Sequence, residues 1–80
     1  MRVLATYRSS HAALKAEGQL RAAGIQVELI PVPTQVRSTC GFCLLAEVQE
    51  PGALRDSGPE GLWRVTETHS HPRRTYDPLP

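Results

Sequence analysis

The sequence predicts an α+β domain of the ferredoxin-like split βαβ type, four antiparallel strands with helices on one face. Three observations carry that expectation. Apolar and β-branched residues gather in four short runs, at 2–7, 25–30, 42–48 and 62–66. An alanine-rich segment of helical spacing separates the first two runs. A shorter segment, bracketed by Pro51-Gly52 and Gly58-Pro59, separates the last two. The order is strand-helix-strand-strand-helix-strand.

Residues 2–7 (Arg-Val-Leu-Ala-Thr-Tyr) read as a largely buried first strand. Ser9 or Ser10 can cap the following helix, which runs from about His11 to Ala23 and ends at Gly24. Ala13, Ala16, Leu20 and Ala23 share one helical face, with Glu17 beside it. Small residues on that face suit close packing on a sheet. Gly18 inside the helix suggests the close approach of another backbone. Residues 25–30 alternate apolar and polar, as a strand with one buried face does. Pro31 and Pro33 cannot donate to a ladder, so this strand stops or lies at an edge. Residues 34–39 read as a polar loop, and 42–48 as a third strand. Pro51 can open a short helix, and 62–66 form the fourth strand. Residues 68–80 show no periodicity and contain three prolines. The expected division is a domain over 1–67 and an irregular, Pro-rich tail over 68–80.

Composition limits the function classes. A net charge of +1 and a single adjacent basic pair, Arg73-Arg74, lack the basic stripe of a nucleic-acid binder. No stretch approaches a signal h-region or a membrane span, so a cytoplasmic protein is expected, with no membrane partner. In a reducing compartment, two cysteines point to reactive, metal-binding or buried thiols before a structural disulfide. His11 reads as a solvated first-turn residue, Glu17 as an ion-pair partner of Arg8 or Arg21, and His69 and His71 as tail residues. Neither a Ser/His/Asp set nor a phosphate-binding glycine loop is present.

Both cysteines lie in one stretch, Ser38-Thr39-Cys40-Gly41-Phe42-Cys43, after the two prolines. Cys40 follows a polar loop, with Arg37 three residues away to favour the thiolate and Gly41 to admit a bulky sulfur donor. Three functions compete here. Cys40 could carry a persulfide or selenide. Cys40 and Cys43 could form a Cys-x-x-Cys redox pair, with Cys43 as the resolving thiol, although alternation along a strand points them to opposite faces. The pair could also supply half a zinc shell, completed by His69 and His71, at poor spacing for a tetrahedral site. The plain alternative is that a cysteine here, Cys43 above all, is a small buried hydrophobe.

The combination Tyr7-x-Ser9-x-His11-x-Ala13-Leu14-x-Ala16-Glu17, Gly24-Ile25, Ile30-Pro31-Val32-Pro33 and Ser38-x-Cys40-Gly41 resembles the small bacterial Se/S carrier protein-like family. The resemblance runs over about residues 2 to 66. It implies a compact α/β domain whose loop cysteine, here Cys40 with Gly41 beside it, moves sulfur or selenium from a donor to an acceptor protein. A cysteine desulfurase would be such a donor. No separate cofactor or metal is implied. Cys43 and the shortened second helix depart from the family pattern. The expectation is therefore a carrier protein more than a stand-alone enzyme. Its alternatives are a non-catalytic module that docks on a larger enzyme, and the redox pair.

Overall fold

A computed structural model of the chain describes residues 1–36, 41–68 and 73–79. Its elements are β1 (Arg2–Thr6), α1 (Ser10–Ala22), β2 (Gln26–Pro31), β3 (Phe42–Glu47), a 3₁₀ helix (Pro51–Ser57), β4 (Gly61–Thr68) and β5 (Arg73–Pro78). The strands form one antiparallel sheet in the order β2-β3-β1-β4-β5. The protein is thus α+β, with one five-stranded sheet where four strands were expected.

Local chemistry sets the helix boundaries. Ser9 is extended, and its Oγ accepts the Ala12 N–H at 3.1 Å, satisfying one orphan donor of the first turn. At the other end Gly24 takes φ +81°. Its N–H reaches the Arg21 carbonyl at 3.0 Å, and the Ile25 N–H reaches that of Leu20 at 3.0 Å. This is a Schellman closure, which needs the left-handed residue that glycine supplies most easily. Ala23 sits in the cap and is exposed, so the buried stripe is Ala13, Ala16 and Leu20 without it. Gly18 is also exposed, and a Cβ there would meet no described atom within 4 Å. The expected close backbone approach does not occur.

Strand alternation gives the sheet two different faces. Val3, Ala5, Leu44, Ala46 and Leu62 meet the α1 stripe in the main core, which also takes Tyr7, Val48 and Leu54. Among the described residues, no helix packs on the other face. There Leu4, Cys43, Leu45 and Val65 form a second cluster with Val36, and Ile30, Val32, Trp63 and Tyr76 pack against it. β1 lies between β3 and β4, and its residues Val3, Leu4 and Ala5 are fully buried.

The second helix is a 3₁₀ segment started by Pro51 and ended at Gly58. Two contacts fasten it. Leu54 is fully buried in the main core. Ser57 donates to the Leu54 carbonyl at 2.6 Å, and its Oγ lies within hydrogen-bond distance of the Tyr7 hydroxyl at 2.7 Å. Burial raises the Tyr7 pKa above its usual value near 10, against the lowering effect of the Ser57 bond.

The C-terminal segment corrects the expectation of an irregular tail. β5 pairs with β4 from Trp63↔Pro78 to Thr68↔Arg73. The Leu79 N–H then reaches the Leu62 carbonyl at 2.8 Å, and the Leu79 side chain packs against the main core. Pro78 is tolerated because β5 is an edge strand. Arg2 ion-pairs with both Glu47 and Glu67, and Glu67 with Arg74, joining β3, β1, β4 and β5 across the helix-free face. The Glu17–Arg21 pair on α1, at 3.3 Å, matches the expected i,i+4 partner. No helix among the described residues is long and apolar enough to cross a membrane.

Two outcomes follow. Gly18→Ala should raise unfolding stability by about 1 kcal/mol in urea titration, because helix propensity improves with no steric penalty. For Tyr7, the folded pKa lies above the unfolded one, so its contribution is complete below pH 10 and is lost as pH rises through the folded value. Urea titrations at rising alkaline pH should show wild-type stability falling, and Tyr7→Phe should fall less steeply from a starting point lower by about 1 kcal/mol.

Candidate functional site

The β2–β3 connection is the site the sequence singles out, and three contacts hold its described part. The ladder runs one step past Pro31↔Phe42, with the Val32 N–H on the Gly41 carbonyl at 3.1 Å. The Val36 N–H then closes a turn on the Pro33 carbonyl at 3.0 Å. That turn drops Val36, only 4% exposed, into the second apolar cluster with Leu4, Cys43, Leu45 and Val65. The segment from Val32 to Val36 therefore folds back over the helix-free face of the sheet. The outgoing limb of the connection is anchored at Val36 and its returning limb at Gly41.

Cys40 and Arg37 lie outside the described residues, as do His69 and His71 of the zinc alternative. Gly41, next in chain to Cys40, is exposed, and a Cβ there would meet no described atom within 4 Å. Phe42 follows it, 44% exposed. Cys43 has no solvent exposure, and its Sγ lies 3.9 Å from the Pro31 carbonyl. A thiol so placed meets no reagent or metal from solvent, which fits the reading of Cys43 as a buried hydrophobe.

Sequence reasoning missed Val36, which it placed in a polar loop. The available signal was a lone branched apolar residue among Thr34, Gln35, Arg37 and Ser38. It also missed the second cluster, whose signal is the apolar residue at the alternate position of each strand: Leu4, Cys43, Leu45 and Val65. Trp63 borders this cluster, and its buried Nε1–H has no hydrogen-bond partner among the described residues.

Fold and loop together define a small α+β domain whose β2–β3 hairpin loop, anchored onto the bare face of the sheet, contains a Cys-Gly pair. A family model described as "Putative Se/S carrier protein-like" matches residues 2–56, and the chain belongs to that family. The match spans β1 through the loop and most of the 3₁₀ helix, ending at 56 rather than at the expected 66, so β4 and β5 lie beyond it. Neither the comparison with curated proteins nor that with solved structures gave a match.

Cys43 burial is open to direct test. Titration with an aromatic disulfide reagent should find the Cys43 thiol of a Cys40→Ser variant silent in native buffer and fully reactive in denaturant. Rapid native reaction would contradict the packing described.

Proposed function

We propose that this protein is a sulfur or selenium carrier that holds a persulfide or selenide on Cys40 and passes it to a partner protein. The supporting observation is the family match over residues 2–56, which includes the whole loop that contains Cys40. The Cys40 thiolate would attack the outer sulfur of a donor persulfide, such as that of a cysteine desulfurase. One S–S bond forms on Cys40 as the donor's S–S bond breaks, and the donor cysteine leaves as its thiolate. The transfer is redox-neutral and needs no base or substrate pocket. Arg37 is assigned to favouring the thiolate, and Gly41, exposed and without a side chain, to admitting the donor's sulfur.

A carrier suits a reducing, cytoplasmic setting, where free thiols persist. We read residues 1–67 as the carrier unit, a split βαβ arrangement, and the strand beyond it as an added edge. The burial of Cys43 weighs against a resolving thiol and against the redox pair.

Intact-protein mass spectrometry after incubation with a cysteine desulfurase and cysteine tests the carrier reading. The expected result is a reductant-labile gain of one or more sulfur atoms, abolished in Cys40→Ser and retained in Cys43→Ser. An unchanged mass, or loss of two hydrogens with Cys40 and Cys43 joined, would overturn it.

A further inference from the structure

The two edges of the sheet differ in what they offer. On β2, the bond from the Val32 N–H to the Gly41 carbonyl sets the ladder alternation, so the backbones of Val27, Leu29 and Pro31 face outward. That edge is blunted. Pro31 has no N–H, and the Val27 carbonyl already accepts from Arg21 Nη2 at 3.4 Å. On β5, the bond from the Leu79 N–H to the Leu62 carbonyl sets the same alternation. Thr75 and Asp77 turn their backbones to β4, while the N–H and C=O groups of Arg74 and Tyr76 face away from the sheet. No hydrogen bond among the described residues occupies those four groups. Pro72 and Pro78, which lack an N–H, bracket them in sequence.

We propose that the β5 edge takes the β5 edge of a second copy of this chain. The two strands run antiparallel about a twofold axis at Thr75 and make one continuous ten-stranded sheet. Register selects this arrangement among the symmetric pairings that oppose outward-facing groups. Centring on Arg74 sets two arginines against each other. Centring on Tyr76 sets Arg74 against Pro78, which cannot donate. Centring on Thr75 sets Arg74 opposite Tyr76 twice, giving four backbone hydrogen bonds. It also sets two guanidinium–aromatic pairs side by side on the helix-free face. The same register brings positions 73 and 77, an arginine and an aspartate, opposite each other. Pro78, which cannot donate, ends the pairing at both ends of the twofold ladder, so the edge fits one short partner strand and not an open-ended stack. This inference rests on β5 alone and stands or falls independently of the carrier reading.

Sedimentation velocity of the full chain over a concentration series tests it, together with a cross-link at the axis. The mass should rise from the 8.8 kDa of one chain toward twice that value. Tyr76→Pro, which removes an outward donor, should weaken the association about tenfold or more. In a Cys40→Ser background, Thr75→Cys should give an oxidant-driven covalent dimer, since residues facing each other at such an axis sit about 4.5 Å apart. Cys40→Ser alone should give none. A mass that stays at one chain throughout would overturn the proposal. So would a dimer that Thr75→Cys fails to cross-link. That cross-link decides the matter if circular dichroism shows Tyr76→Pro to be unfolded.

Discussion

The structure depends on the burial of β1 on all sides. β3 and β4 saturate its backbone, α1 covers Val3 and Ala5, and the second cluster encloses Leu4. An 80-residue chain has little surface to bury, so a strand whose every central atom is removed from water contributes more than its length suggests. The rest is arranged to keep it so. Alanines at 13 and 16 let α1 lie close on the sheet, and the Tyr7–Ser57–Leu54 chain of hydrogen bonds ties the 3₁₀ helix to the end of the same strand. The ion pairs of Arg2 with Glu47 and Glu67 are half exposed, so each adds at most about 1 kcal/mol. With the Glu67–Arg74 pair they link four neighbouring strands across the helix-free face.

The bare face of the sheet acquires its purpose from the loop. Without Val36, Leu4, Cys43, Leu45 and Val65 would present apolar surface to water on the side that α1 does not reach. The loop supplies the cover, and in return the cluster holds the loop's outgoing limb. Cys43 belongs to the floor of this arrangement, fully buried among Leu4, Leu45 and Val65.

Much of this was legible in the residues. Ser9, Gly24 and the Ala13–Ala16–Leu20 stripe place α1 within a residue or so, because capping and periodicity are local effects. The prolines correctly mark β2 as an edge. What sequence could not show was decided by contacts distant in the chain. β5 is six residues long and mostly polar, and it becomes a strand only because β4 offers a ladder and Tyr76 a place beside Val65. Val36 looks like loop until the sheet face it lands on is known. The Cys40-Gly41 pair is plain in the sequence, whereas the anchoring of the connection at Val36 and Gly41 was a matter of tertiary packing.

Trp63 is the chain's one tryptophan, and it packs at the margin of the cluster that seats Val36, with its indole N–H shut away from water. Indole emission shifts with the polarity around the ring. The protein therefore carries an intrinsic optical gauge of whether its loop is seated, readable without a label and without touching either thiol.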